Sequence, residues 1–572
     1  MIKNYIKIAF RNLFKNKTYS GINIFGLSVG VACCLLILLY LTNEFSYDKF
    51  HSNSDRIYRA WVHEDYGDGS IYWNTVTPLR LKESIAENIP EAESIARRYV
   101  YNDLVKADDQ TEGFSERIQL VDPEFFTMFD FELLKGTSES VFAQTSNVVL
   151  TPSSAERFFG TDDVLGKTLL VKMNDQFEPF TVSGIIEDYP INSSITYELL
   201  IPMENGRKLF SERAYTGWFS VIAETYVQLD ENTQISETQG KLVAMMQEIF
   251  GEEEWNRSNY TVDLQPLTDI RLNPDVPVGI ASVTDPTYLY ILLGIAVLVL
   301  LIACVNFMTL SISRSTSRAK EVGIRKTIGA ERTHLMYQFW GEALLMTVLA
   351  LSIGLLFSEL LLPYFNQLSG TALVLTFSLK TFSLFLGLAI FISIIAGIYP
   401  ALILSGFKPV EVLKGKIQIK GDRSLFRTGM VVFQFTLSIF LIGSTLIISD
   451  QLEFLRSSDL GFQKEHIVII EIDDNPDQET GFLGLMQRAS SKTELLKSQL
   501  ASIPEVKGVA ASLYTPADND WMSADYRDTE EKLHPFRMNI VDHDYANLMG
   551  LNFLEGRGSL RRFLLMQDWE LL

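Results

Sequence analysis

The sequence has few of the side chains on which metal and covalent chemistry depend. It contains only three cysteines among 572 residues, and all three lie in long apolar stretches: Cys33, Cys34 and Cys304. The charged parts of the chain therefore fold without disulfides. None of the six histidines stands four residues from another, which is the spacing of a zinc-binding helix. We predict no metal site and no cofactor.

Nucleophilic and phosphate-binding motifs are also missing. There is no Gly-x-Ser-x-Gly elbow. The nearest approach to a P-loop has five residues between Gly160 and Gly166, where the motif requires four, and its Asp162 and Asp163 repel phosphate. We interpret this segment as a turn before a strand. The sequence thus predicts no catalytic residues, and an enzyme in the water-exposed part has no supporting residues.

An overall excess of basic charge is missing as well. The formal net charge is −21, which argues against nucleic acid as a partner. Hydrophobic residues make up 47% of the chain, and they are concentrated in stretches long enough to cross a membrane. Glu342 and Glu359, near opposite ends of the third stretch, are predicted to reach head groups. The five predicted spans are residues 21–43, 287–311, 335–363, 381–404 and 428–449.

The basic residues that do occur flank these spans on alternate sides. Segments 1–20, 312–334 and 405–427 are basic, which predicts that they and the N-terminus are cytoplasmic. The acidic segments 44–286 and 450–572 are then extracytoplasmic. A cleaved signal or a lipid anchor is the alternative for the first span, but the apolar run is longer than a signal core.

The N-terminal segment has a pattern of its own. Lys3, Lys7, Arg11 and Lys15 recur every fourth residue opposite an apolar stripe, which predicts an amphipathic helix on the inner membrane surface that binds lipid head groups. An ordinary basic flank is the alternative, and it does not explain the spacing.

The two outer segments mix helical and strand patterns. The first contains a helical pattern at 77–88 and strand patterns at 147–151, 168–172 and 224–229, and the second a strand pattern at 467–472 and a helical one at 492–502. We therefore predict an α-helical membrane protein with inserted α+β extracytoplasmic domains.

The chain also repeats itself after more than 400 residues. Ile89-Pro90-Glu91 matches Ile503-Pro504-Glu505, and residues 121–136 match residues 541–556 in the same order. We interpret this as a duplicated module with an incomplete second copy. Residues 558–572 depart from the repeat, and we expect a truncated or frame-disrupted chain.

The inner segment after the second span carries more than charge. Apolar residues and two glycines alternate with basic residues, a composition suited to docking a cytoplasmic protein. A plain basic loop is the alternative. The candidate docking residues are Arg318, Lys320, Glu321, Val322, Gly323, Ile324, Arg325, Lys326, Gly329 and Ala330.

At this segment the chain resembles the FtsX-like, MacB-type permeases of ABC transporters. Residues 320–330 read Lys-Glu-Val-Gly-Ile-Arg-Lys-Thr-Ile-Gly-Ala, close to the Lys-Glu-Ile-Gly-Ile-Arg-Lys-Ala-Leu-Gly-Ala of that family. Residues 11–16, 47–51 and 399–401, with Glu342 and Pro409, also fit. The resemblance covers nearly all of residues 1–556.

The resemblance implies a permease in a bacterial inner membrane without an ATPase of its own. It implies a separate ATP-binding cassette subunit docked on the inner segment, and pairing with itself or a related permease. An extracytoplasmic adaptor is a further partner of this kind of transporter. Two functions stay open: export of a peptide, lipoprotein or drug, and ATPase-driven regulation of a cell-wall hydrolase or an antimicrobial-peptide response.

Overall fold

The computed structural model describes most of the chain with gaps. The described residues are 11, 13–65, 71–108, 113–174, 176–277, 279–313, 322–376, 383, 385–395, 397, 422–458, 460–470, 493–516, 522–527, 533–553 and 555. The chain divides into two compact units, Met1–Tyr47 with Thr284–Ser457, and Asp48–Val283 with Ser458–Leu572. We call them the membrane unit and the acidic unit.

The helices and strands follow in chain order within those residues. The helices are α1 Lys17–Glu44, α2 Leu81–Asn88, α3 Phe125–Met128, α4 Pro152–Phe159, α5 Gly206–Leu209, α6 Glu212–Thr216, α7 Ile235–Ser258, α8 Pro286–Ser313, α9 322–327, α10 Arg332–Ser369, α11 Phe385–Ile395, α12 Asp422–Ser457, α13 493–500 and α14 Tyr545–Leu548. The strands are β1 Ile57–Asp65, β2 Ile71–Asn74, β3 Thr77–Pro78, β4 Ala92–Ala107, β5 Phe114–Val121, β6 Leu133–Lys135, β7 Asn147–Leu150, β8 Thr168–Met173, β9 Gln176–Ile186, β10 Leu199–Pro202, β11 Val221–Leu229, β12 Thr261–Pro266, β13 Met522–Arg527 and β14 Leu533–Met538.

Four of the described helices are long and apolar enough to cross a membrane, namely α1, α8, α10 and the part of α12 from Thr428 to Ser457. They coincide with four of the five predicted spans and extend beyond each of them at both ends, because helical hydrogen bonding continues past the hydrocarbon core. Of the predicted span at 381–404, the structure describes residues 383, 385–395 and 397, where α11 is a shorter apolar helix.

Small residues bring α1 close to its two neighbours in the membrane unit. A Cβ atom added at Gly30 would lie 2.8 Å from the Cβ of Ala303 on α8. One added at Gly354 on α10 would lie 2.8 Å from Val31 Cγ1 and 3.0 Å from the carbonyl oxygen of Ser28. Helices in lipid gain stability mainly from close packing of this kind, so α1, α8 and α10 form the packed centre of the unit.

The acidic unit is built on one large mixed sheet. Its strand order is β12-β1-β11-β4-β5-β10-β7-β9-β6, with β2 on β1, β3 on β11 and β8 between β4 and β9. The predicted strands at 147–151, 168–172 and 224–229 are confirmed as β7, β8 and β11. The predicted helix at 77–88 is wrong at its start, because Thr77 and Pro78 pair with β11 and the helix begins at Leu81. Residues 467–470 of the predicted strand at 467–472 form no strand.

The first residues of the acidic unit are fastened by a buried carboxylate and a buried imidazole. Asp48 has a positive φ of 58°, and its Oδ1 accepts a 2.7 Å hydrogen bond from the backbone N–H of Ser194. Burial raises the pKa of Asp48 to about 6. His51 Nδ1 accepts from the backbone N–H of Asp130 at 3.0 Å, and burial lowers the pKa of His51 to about 4. His51 is therefore neutral and serves packing here.

Candidate functional site

The described part of the inner segment before α10, residues 322–331, folds as a short helix and a turn. Gly329 has a φ of +100°, a conformation that favours glycine, and its N–H donates to the carbonyl oxygen of Lys326 at 3.1 Å. The N–H of Ala330 donates to the carbonyl oxygen of Arg325 at 3.0 Å. Glu331 is extended and precedes the first turn of α10. The glycine therefore ends α9 and lets the chain enter α10 directly.

One face of α9 packs against α10. Val322 is buried in a small apolar cluster with Leu335 and Phe339 of α10. Gly323, beside Val322, is also buried. These two predicted docking residues therefore face the protein, where they hold α9 on α10.

Arg325 is held from the same side by polar residues of α10. Its Nη1 donates to Gln338 Oε1 at 2.6 Å, and Gln338 Nε2 donates to Glu342 Oε1 at 3.3 Å. Gln338 and Glu342 are each 6% exposed. Glu342 is thus buried in the protein, so the expectation that it reaches head groups is wrong.

The other face of α9 is open. Ile328, in the turn after the helix, is 80% exposed, and Ile324 is 43% exposed. Thr327 is exposed between them. Partial burial, together with the charge of Arg332, lowers the pKa of Lys326. Two exposed isoleucines beside cationic side chains, outside the apolar spans, make a surface suited to binding a protein.

The remaining predicted site residues divide between described and undescribed positions. Arg318, Lys320 and Glu321 lie outside the described residues, as do Lys3 and Lys7. Arg11 and Lys15 are helical and exposed.

Gln338 was missed in the sequence, and Glu342 was noted there without its partners. The available signal was a pair of polar residues four positions apart in an otherwise apolar helix, which places both on one face. Nothing in the spacing alone joins that pair to Arg325.

The P-loop-like segment is a turn, as interpreted from the sequence. Gly160 ends α4 in a left-handed conformation, and Gly166 has a φ of +78° just before β8. The ammonium group of Lys167 lies 5.0 Å from the centre of the Phe159 ring. Within the parts of the chain that the structure describes, no three His, Cys, Asp or Glu side chains are grouped to hold a metal.

Comparison with protein families identifies two matching regions. Residues 20–245 match the MacB-like periplasmic core domain, and residues 293–409 match the FtsX-like permease C-terminal domain. The second match begins within α8 and contains α9, α10 and α11, and so includes the whole inner segment.

Known relatives resemble the chain at low identity over long stretches. An uncharacterized ABC transporter permease, YvrN, of Bacillus subtilis (strain 168) is 22% identical, over 72% of this chain and 99% of the relative. The macrolide export ATP-binding/permease protein MacB of Campylobacter jejuni (strain 81-176) is 23% identical, over 71% of this chain and 60% of the relative. The chain thus spans about 60% of the length of that MacB.

Two solved structures are also similar to part of the chain. A domain of a putative permease from Porphyromonas gingivalis is 23% identical with a TM-score of 0.34, and it covers 42% of this chain and 98% of its own length. The periplasmic region of MacB from Actinobacillus actinomycetemcomitans is 17% identical with a TM-score of 0.25, over 36% of this chain and 87% of that one. With four apolar helices, an outer-domain match and a permease-domain match in sequence, the chain belongs to the FtsX/MacB type of ABC transporter permease, a multi-pass inner-membrane protein.

Proposed function

We propose that this permease couples ATP hydrolysis by a separate ATPase subunit to a change of shape in its extracytoplasmic domain. The observation that supports it best is the open face of α9, formed by Ile324 and Ile328 and joined to a membrane helix through Arg325, Gln338 and Glu342. A subunit bound to this face moves α9, and the hydrogen bonds from Arg325 to Gln338 and from Gln338 to Glu342 carry that movement to α10. With this segment inside, the N-terminus is cytoplasmic.

The work done outside is export of a peptide, lipoprotein or drug. MacB relatives are named for macrolide export and for ATP binding, and the present chain shows no phosphate-binding loop in its sequence. In this proposal the ATP-binding subunit is a separate partner. The permease pairs with itself or a related permease, it contacts membrane lipids through Arg11 and Lys15, and an extracytoplasmic adaptor extends the export path.

The acidic unit contains a second, partial copy of the outer module, and matching contacts support this. The N–H of Asp122 donates to the carbonyl oxygen of Arg97, and the N–H of Arg97 donates back to the Asp122 carboxylate at 2.8 Å. The N–H of Asp542 donates to the carbonyl oxygen of Ala511, and the N–H of Ala511 donates back to the Asp542 carboxylate at 2.9 Å. A short helix follows each aspartate, α3 in one case and α14 in the other.

A lysine from the preceding helix completes each arrangement. Lys82 of α2 lies 3.2 Å from Asp122 and 3.0 Å from Glu124. Lys497 of α13 lies 2.7 Å from Asp542 and 2.7 Å from Asp544. The aspartates are 420 positions apart, as are their acidic neighbours, which is the spacing of the sequence repeat.

The docking face is tested by placing a charge on it. We expect Ile328→Asp to weaken association with the purified ATPase subunit at least about tenfold, because a carboxylate replaces an exposed apolar contact. Leu368→Asp is the matched control, since Leu368 is 88% exposed at the opposite end of α10. Association is measured by co-purification and by stimulation of ATP hydrolysis. Equal binding of both variants contradicts the docking face, and ATP hydrolysis by the purified permease alone contradicts the separate subunit.

A further inference from the structure

An exposed aromatic face lies on β1 and β2 of the acidic unit. Ile71, Tyr72 and Trp73 of β2 are 50%, 40% and 48% exposed. Val62 of β1 is fully buried in the core. Side chains alternate along a strand, so Trp61 and His63 point away from that core. His63 is directly opposite Trp73 in the ladder, which places these rings on the same outward face.

Three of these rings form a cluster. The ring centres of Trp61 and Trp73 are 6.4 Å apart, and those of His63 and Trp73 are 5.9 Å apart, both with edge-to-face geometry. His63 Nδ1 lies 3.3 Å from the hydroxyl of Thr261 on β12, which fixes the imidazole beside the tryptophans. We call Trp61, His63 and Trp73 the aromatic cluster. Indole faces attract cations more strongly than other aromatic rings do.

Carboxylates stand at both ends of this cluster on the same face. Asp263 of β12 is directly opposite Trp61, and Asp65 of β1 is directly opposite Ile71. Burial raises the pKa of Asp263, and the nearby His63 lowers it in part. Residues 48–283 contain 40 acidic and 19 basic side chains, so the surrounding field is negative. The charge that complements this surface is positive.

The outer edge of β2 offers backbone groups as well. Among the strands that the structure describes, β2 pairs with β1 alone. An exposed apolar edge strand is a template for adding another strand, and side chains at alternate positions of the added strand reach the same face.

We propose that this surface binds an extended cationic peptide, which adds to the edge of β2 and places lysine or arginine side chains on the aromatic cluster between Asp65 and Asp263. The proposal rests on the function proposed above, because it assigns the class of cargo that the permease handles. Basic side chains at alternate positions of the peptide bind over the indole faces, and the side chains between them point to the opposite face.

Binding is tested on the full chain in nanodiscs of zwitterionic phosphatidylcholine, with empty nanodiscs as the blank. The probe is a fluorescent peptide of about ten residues that alternates lysine and leucine, and the read-out is fluorescence anisotropy. We expect this peptide to bind about tenfold more tightly than the same peptide with glutamate in place of lysine. We also expect Trp73→Ala and Asp263→Asn each to weaken binding about tenfold. Phe219→Ala is the matched control, because Phe219 is 50% exposed elsewhere on the same unit.

The strand-addition part has its own probe. A lysine–leucine peptide that is N-methylated at alternate backbone positions keeps its charge and loses the edge hydrogen bonds, so it should bind at least about tenfold more weakly. Equal binding of the methylated peptide, of the glutamate peptide, or of the Trp73→Ala variant overturns the proposal. The assay contains neither ATP nor an ATPase, so its failure is distinct from failure of the docking face.

Discussion

Residues 81–136 and 493–553 contain equivalent loops, one around Asp122 and one around Asp542, in which different numbers of cations pair with the aspartate. In both segments the N–H of an aspartate donates to the carbonyl oxygen of a partner residue, its carboxylate accepts from the N–H of that residue, and a lysine bridges two acids. The first segment adds Arg97, whose guanidinium donates to both oxygens of Asp122 at 2.9 and 3.1 Å. The second has Ala511 at the equivalent place. The backbone arrangement therefore does not depend on the arginine, which adds stability to a loop that already forms.

The aspartate of the first loop, which pairs with more cations, is also the more deeply buried of the two. The side chain of Asp122 is 6% exposed and that of Asp542 is 19% exposed. Burial acts to raise the pKa of Asp122, but Arg97 and Lys82 outweigh it and lower that pKa below its usual range. The stabilisation from Asp122 is therefore present at neutral pH and is lost as the pH falls through the lowered pKa.

The largest effect is expected from removing the aspartates. Asp122→Ala leaves the largely buried Arg97 with the exposed carboxylate of Glu83 in place of its buried partner, and should lower the local unfolding free energy by about 3 kcal/mol. Asp542→Ala loses hydrogen bonds at a more exposed site and should lower it by about 1 to 2 kcal/mol. Hydrogen exchange of peptides covering 118–130 and 538–550 measures both. Equal losses would show that Arg97 adds nothing to the first loop.

Replacing the lysines should have a smaller effect on loop stability, and here the second loop should lose more than the first. Lys497 is the only cation paired with Asp542 in the described part of the chain, so Lys497→Met should lower the free energy of opening of its loop by about 1 kcal/mol. Lys82→Met should change that of the first loop by less than about 0.5 kcal/mol, because Arg97 still pairs with Asp122. The same exchange experiment applies, and a larger loss from Lys82→Met would contradict this account.

The smallest effect is expected from adding the missing arginine. Ala511→Arg places a guanidinium beside Asp542 and should stabilise the second loop by at most about 0.5 kcal/mol, since that site is more exposed. Ala511→Gln is the control for side-chain length without charge. Slower hydrogen exchange in residues 538–550 of the Ala511→Arg variant alone would show that a guanidinium stabilises the second loop as well. Equal exchange in the Ala511→Arg and Ala511→Gln variants would contradict that prediction.

The sequence predicted most where the pattern is local. Apolar length alone located α1, α8, α10 and α12, and alternating residues located β7, β8 and β11. The prediction failed where pairing between distant segments determines the structure. Thr77 and Pro78 were predicted to begin a helix, but they pair with β11 and α2 begins after them. The predicted spans were also shorter than the helices, because hydropathy does not indicate where a helix continues beyond the lipid.

The docking segment shows the same limit. Composition was enough to locate this segment in the sequence. It was not enough to predict the direction in which each side chain points. Arg325 was predicted as a docking residue, and it donates to Gln338 on α10, while Ile328 is 80% exposed. The aromatic cluster was also missed, because Trp61 and Trp73 become neighbours only through the register of β1 with β2.

Gly354 has a practical consequence for work on the membrane helices. A single methyl group at this position would meet both a side chain and a carbonyl oxygen of α1 at about 3 Å or less. Cysteine and alanine scanning treat alanine as harmless, yet here the smallest possible addition forces two helices apart. Leu360, six residues further along the same helix and 61% exposed, accepts a bulky probe. Reporter positions in this protein should therefore be chosen by helix face, and residue size is a poor guide.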